Sequence, residues 1–139
     1  MAVIESRISP TGETFQANRA AMLALIARQT GLEERARRAS AAAGPRFHER
    51  GQLLPRERIA LLLDPGAPFL ELSTLSGFMM DVPDAEKSVP GSGVIAGIGF
   101  VSGVRCMISA SDSGIDAGAL QTMGLEKQLR VQEMALENR

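Results

Sequence analysis

Gly93-Val94-Ile95-Ala96-Gly97-Ile98-Gly99-Phe100-Val101, Ser102-Gly103 and Val104-Arg105-Cys106-Met107-Ile108-Ser109-Ala110 form the stretch that decides the architecture. Apolar residues fill both alternating faces of the first run, as in a strand covered on both sides. Gly93, Gly97 and Gly99 within it mark a bend or a close approach by another backbone. Ser102-Gly103 is a two-residue turn, so residues 104–110 return as the second arm of a hairpin. A nucleotide-binding glycine loop is the competing reading, and it is weak because these glycines do not open a helix.

Beyond the hairpin, Ser111-Asp112-Ser113-Gly114-Ile115-Asp116-Ala117-Gly118-Ala119 is a loop of small residues. Such a loop lets a ligand approach the backbone, or serves as a plain connection. Residues 120–139 read as a helix with Leu125, Leu129 and Leu136 on one flank. Leu120, Met123, Val131 and Met134 lie on the other flank, with Glu126 and Arg130 spaced for an i,i+4 pair between them. Two apolar flanks predict a helix between two layers, and we expect the chain to be part of a longer protein.

Upstream, Gly51-Gln52-Leu53-Leu54-Pro55-Arg56-Glu57-Arg58-Ile59 opens a short helix with Pro55 at its first position. Asp64-Pro65-Gly66 ends it, and residues 69–72 read as a short strand. Arg56, Glu57 and Arg58 are expected to lock this helix by ion pairs. Residues 73–89 are polar and broken, an exposed connection whose Phe78-Met79-Met80 is expected to touch the core. His48, in a charged linker, reads as a solvated side chain. Residues 14–43 are rich in helix formers, with Gly31 as a break or bend. Arg35, Arg37 and Arg38, offset by Glu33 and Glu34, read as a solvated face of a packing or subunit-contact arm.

Composition narrows the class. The chain has 139 residues, 45% hydrophobic and 22% charged, as in a globular protein with a core. A net charge of −1 gives nucleic-acid binding no support, and no apolar run reaches the ~20 residues of a membrane span. Cys106 alone permits no internal disulfide, and no histidine–carboxylate cluster offers a metal site. Glu5 and Glu13 argue against a secretory or mitochondrial leader, so a cytoplasmic location is expected before the mitochondrial matrix.

Residues 50–59, Leu62-Leu63-Asp64-Pro65-Gly66, Pro68-Phe69-Leu70-Glu71-Leu72, Val89-Pro90-Gly91-Ser92-Gly93-Val94 and Lys127-Gln128-Leu129-Arg130-Val131-Gln132-Glu133 occur in one order. In that order they resemble the N-terminal region of the carboxyltransferase (beta) subunit of biotin-dependent acyl-CoA carboxylases. Residues 64–72 look most like the methylcrotonyl-CoA and geranyl-CoA carboxylase type. The resemblance implies an α/β fold, an incomplete crotonase/ClpP-like ββα superhelix. A helical arm over residues 1–49 would precede the start of the carboxyltransferase domain over residues 50–139.

It also implies an enzyme that moves carboxylate from carboxybiotin to an enoyl-CoA through a thioester enolate. Biotin would be carried by a partner, the biotin carboxylase or biotin carrier subunit, and the full-length subunits would form a homo-oligomer. Ser113, Gly114, Gly118 and Lys127 are the residues expected to meet CoA. The family usually has a basic residue before a Gly-Gly pair in that loop, where this chain has Asp116-Ala117-Gly118. An acid there repels a CoA phosphate, and Lys127 itself reads as a surface lysine. No catalytic acid, base or oxyanion pair is identifiable, so the chain alone is expected to be inactive. The alternatives are a non-catalytic assembly module for a carboxylase and another crotonase-type acyl-CoA enzyme.

Overall fold

The computed structural model describes Ser6 and residues 8–138, so the expected role of Glu5 falls outside them. The chain divides into two compact units, Met1–Gly31 and Leu32–Arg139. Helix α1 (Glu13–Ala41) runs unbroken through Gly31, where the sequence suggested a break or bend. Open space surrounds that glycine, so its cost is only the ~1 kcal/mol of backbone entropy that helical glycine carries.

In the second unit, α2 (Gly44–His48), α3 (Pro55–Leu62), β1 (Leu70–Glu71), β2 (Val94–Val101), β3 (Val104–Ser111) and α4 (Thr122–Asn138) follow in order. The sheet is antiparallel in the order β1-β2-β3, with Val101 opposite Val104 and Leu70 opposite Ile98. Ser102 (φ 52°) and Gly103 (φ 77°) form the two-residue turn, both in the left-handed region that matches strand twist.

One face of the sheet packs Ile95 and Ile108 on Ile59 of α3, with Leu63 and Phe69 at the margin. The other packs Val94 and Ala96 on Val131 of α4. Period-two alternation along β2 therefore feeds two apolar layers, as the doubly apolar run predicted. Gly97 and Gly99 make room for the first layer. A Cβ on Gly97 would lie 2.5 Å from the Phe69 ring and 2.6 Å from the Leu70 carbonyl oxygen.

Two expectations for α4 are corrected. Only one flank is covered: Gly124, Lys127 and Val131 are buried, while Leu125 and Leu129 are each 47% exposed and Leu136 81%. Arg130 pairs with Glu133 at 3.0 Å, one turn onward, and not with Glu126. The connection after β1 is corrected too, since Met79 and Met80 are exposed and only Phe78 is partly covered.

The stop after α3 does more than end a helix. Asp64 accepts hydrogen bonds from the N–H groups of Ser102 (2.6 Å) and Gly103 (2.7 Å), so its carboxylate caps the hairpin turn. Replacing Asp64 by Ala removes two charge-assisted bonds at an exposed turn, and about 1–2 kcal/mol of stability should be lost. Urea unfolding of D64A beside D64N checks this; an unchanged midpoint in both would refute it.

Candidate functional site

The last turns of α1 organise both loops that flank the sheet. Glu33 accepts a hydrogen bond from Thr74 Oγ1 at 2.8 Å. Arg35 Nη1 donates to the carbonyls of Ala85 (2.5 Å), Ser88 (3.0 Å) and Glu86 (3.4 Å). Five residues on, buried Ser40 donates to buried Asp112 at 2.7 Å, and Asp112 also accepts from the Gly114 N–H at 3.2 Å. Arg35 is thus a tether for the 85–88 backbone, where the sequence suggested a solvated face.

Between these loops lies a cleft of about 170 Å³. Gly77, Asp81, Lys87, Ser88, Ser92 and Gly93 stand on one wall, and Ile115, Asp116, Ala119 and Gln121 on the other. Each wall carries a run of left-handed backbone: Gly91, Ser92 and Gly93 (φ 98°, 53° and 64°) face Asp116, Ala117 and Gly118 (φ 46°, 53° and 81°). Ser92, Asp116 and Ala117 bear side chains, so each is held in a conformation costing about 1–3 kcal/mol. Such residues persist only where the surroundings over-determine them, and they concentrate at ligand clamps. Here Ser92 is buried and within 3.2 Å of the Ser76 hydroxyl, and Asp116 accepts from Gln121 Nε2 at 3.0 Å.

The four residues expected to meet CoA are distributed unevenly. Ser113, Gly114 and Gly118 share one loop. Ser113 lines an open groove between α3 and β3 instead of the cleft. Gly114 backs onto α1, where a Cβ would lie 2.6 Å from the Ser40 carbonyl oxygen. Lys127 is no surface lysine. It is 4% exposed, and its ammonium donates to the carbonyl of Val94 at 2.7 Å and of Gly91 at 3.4 Å. Burial pushes its pKa down to about 8, against the opposing pull of Glu71.

Of the three residues expected to lock α3 by ion pairs, Arg56 does so, Glu57 locks it by hydrogen bonds, and Arg58 makes no ion pair among the described residues. Arg56 makes a bidentate pair with Glu71 of β1 (2.8 and 2.9 Å). Glu57 reaches back to the Leu54 N–H (2.7 Å) and lies 3.1 Å from His48 Nε2. The His48 bond holds the Glu57 carboxyl below its ordinary range, with help from the Leu54 N–H. His48 lies at the end of α2 and not in the linker that the sequence suggested, and it is half exposed yet has a partner.

Signals for the missed anchors were thin. Ser40 and Asp112 are 72 residues apart, and nothing local marks either as a partner of the other. Gly124 was the best available hint: a glycine inside a strong helix indicates close packing, and a Cβ there would lie 2.6 Å from the Ser92 carbonyl oxygen.

Residues 46–139 match the carboxyl transferase domain family. The chain is 46% identical over 114 residues to the biotin-dependent 3-methylcrotonyl-coenzyme A carboxylase beta1 subunit of Mycobacterium tuberculosis, covering 82% of this chain and 20% of that one. It is 35% identical over 137 residues to the mitochondrial methylcrotonoyl-CoA carboxylase beta chain of Arabidopsis thaliana, covering 96% and 22%. Among solved structures, the geranyl-CoA carboxylase beta subunit of P. aeruginosa superposes with a TM-score of 0.89 at 50% identity, over 99% of this chain and 25% of that one. The transcarboxylase 12S structure superposes at 0.65 with 25% identity, over 81% and 23%. The chain spans about a fifth of the length of these curated relatives. It belongs to the carboxyl transferase family, with the crotonase-like fold of that family and the sequence type of the methylcrotonyl-CoA and geranyl-CoA carboxylase beta subunits.

Proposed function

We propose that this chain forms part of the carboxyltransferase component of a biotin-dependent acyl-CoA carboxylase acting on a branched enoyl-CoA. The observation that carries the reading is the superposition on the geranyl-CoA carboxylase beta subunit along 99% of the chain. The division into an arm over residues 1–49 and a domain from residue 50 belongs to the same proposal, supported by the family match from residue 46.

Within that component the 111–119 loop is our candidate for contact with the acyl-CoA. Gly118, in the stretch that forms one cleft wall, would lie nearer a ligand in the cleft than Ser113, which faces the groove along α3 and β3; Gly114 lets α1 close behind the loop, and Lys127 acts through the backbone. Asp81 and Asp116 on the cleft walls oppose phosphate, and Lys87 on the same lining is already paired with Asp84, so neutral amide and hydroxyl groups of CoA suit the cleft better. Biotin does not fit these residues: carboxylates raise the energy of a carboxyl or a ureido oxyanion beside them. No transfer step is assigned to this chain's side chains, and we propose that it does not catalyse transfer by itself.

The expected partners are a biotin-carrying subunit and further copies of the carboxyltransferase subunit. The structurally similar transcarboxylase 12S is a hexamer assembly, which supports the second of these. Among the described residues no helix is long and apolar enough to cross a membrane. A cytoplasmic location is proposed, with the mitochondrial matrix as the alternative, since the Arabidopsis relative is mitochondrial.

A chimera tests the reading. This chain replaces the aligned quarter of the geranyl-CoA carboxylase beta subunit, and biotin-dependent carboxylation is measured. Activity within about tenfold of the parent, ~1.4 kcal/mol of barrier, is expected. A folded chimera without activity would overturn the proposal, and carboxyl transfer by the 139-residue chain alone would overturn its non-catalytic part.

A further inference from the structure

We infer that Lys127 and Arg35 are positioning residues that set the shape of one cleft wall by gripping its backbone carbonyls from opposite helices. This rests on the cleft being the ligand site, although the grip itself can be measured without any ligand.

The wall is the segment 85–94, which has no regular secondary structure up to Gly93 and joins the ladder only at its end, through Gly93 and Val94. Its carbonyl groups are acceptors that must be satisfied where they are buried. Arg35, on α1, takes those of Ala85, Glu86 and Ser88 with a single guanidinium nitrogen. Lys127, on α4, takes those of Gly91 and Val94, on either side of the left-handed Ser92-Gly93 pair.

Between the two grips Pro90 is fully buried, and the buried Ser88 hydroxyl accepts from the Met79 N–H at 2.8 Å. Gly124 lies one turn before Lys127 on the same buried face and lets α4 press against the Ser92 carbonyl. The lysine stem is thereby covered by packing, and its ammonium reaches only the turn. Glu71 and Arg56 are the charged groups nearest in effect to Lys127, one attracting its charge and one opposing it. An ammonium kept buried between such neighbours costs free energy, and an apolar residue of similar size would pack there without that cost. Its use as a donor to two carbonyls explains the position. The grip also accounts for Ser92, a non-glycine residue held at φ 53° on the cleft wall.

The test is amide hydrogen exchange of the full chain, read at Val94 and Asp112. The Val94 N–H donates to Gly91 and the Asp112 N–H to Gly93, so both report on the turn. In Lys127→Met, exchange at both should rise about tenfold or more, while far-ultraviolet circular dichroism stays unchanged. Lys127→Cys in a Cys106→Ser background, aminoethylated while unfolded and then refolded, should recover the original protection. Unchanged exchange in Lys127→Met, or no recovery with the restored amine, would overturn the inference. Should Lys127→Met fail to fold, Arg35→Met reads the other grip at the Ser88 and Met79 amides, and unchanged exchange there overturns the inference equally.

Titration of the same proteins with coenzyme A separates this from the functional reading. Weaker binding in the variant than in the wild type supports both. Loss of protection with no coenzyme A binding even in the wild type upholds the grip and overturns the CoA contact.

Discussion

Gly97→Val is expected to destabilise the 32–139 unit more than any other single substitution considered for it. A side chain at this position meets the Phe69 ring at 2.5 Å and the Leu70 carbonyl oxygen at 2.6 Å. The ring could swing away, but the carbonyl belongs to β1, whose Glu71 is paired opposite Gly97 itself. Relief therefore requires β1 to leave the sheet, taking with it the Arg56–Glu71 contact. Overpacking a formed core costs typically 1–3 kcal/mol, and a backbone obstacle places this case at roughly 3 kcal/mol or above. Against the 5–15 kcal/mol of an ordinary domain that is a large share. Denaturant unfolding followed by circular dichroism gives the answer, with Gly31→Ala as the contrast. Open space at Gly31 makes that change stabilising by about 0.5–1 kcal/mol. A G97V protein that melts like the wild type would mean that β1 does not lie where the structure has it.

The second large effect concerns Arg56 and Glu71. Their side chains are 30% and 15% exposed, and two parallel hydrogen bonds join them. Burial pushes the Glu71 carboxyl up, but the bonds and charge of Arg56 outweigh it, so its pKa lies below the ordinary 4.5. The Arg56 guanidinium is held above its usual value chiefly by the Glu71 bond, against its own burial. Removing one partner of a fully buried pair costs 3–5 kcal/mol, and partial exposure reduces this to about 2 kcal/mol for Arg56→Ala.

The pH dependence follows from the sign of the Glu71 shift. A carboxyl whose folded pKa is depressed contributes stability that is fully present above its unfolded value. That stability is lost as the pH falls through the folded value. Wild-type stability should therefore decline on acidification below about pH 4.5, and this part of the decline should shrink in Arg56→Ala, where only the weaker pulls of Lys127 and Arg37 still oppose burial. Thermal melts from pH 3 to 7, with Glu71→Gln removing the same titration from the other side, provide the check. An acid slope in Arg56→Ala equal to that of the wild type would show that the pair does not set it.

The resemblance in residues 50–72 and the hairpin run located the family and the fold, because both depend on local order and periodicity. Where the structure departed from expectation, the cause was a contact between residues distant in the chain. Lys127 reads as a surface residue from its helical context, yet α4 turns it inward beside Gly124 and gives it to the carbonyls of another loop. Arg35 sits in a run of alternating charges, and only the folded 85–88 segment turns it into a tether. The leucine flank of α4 shows the opposite failure. Its periodicity predicted a covered face, but burial depends on a second surface that the described residues do not supply.

By itself, then, the sequence determined most of the helix, turn and strand segments and the family to which they belong, but it read α2 (Gly44–His48) as a charged linker. Backbone dihedrals, side-chain period and motif order act over a few residues at a time. Only the tertiary structure decided which side chains hold the cleft walls. Those bonds join residues 33 to 72 positions apart, and their partners are mostly backbone carbonyls, which carry no mark in the sequence.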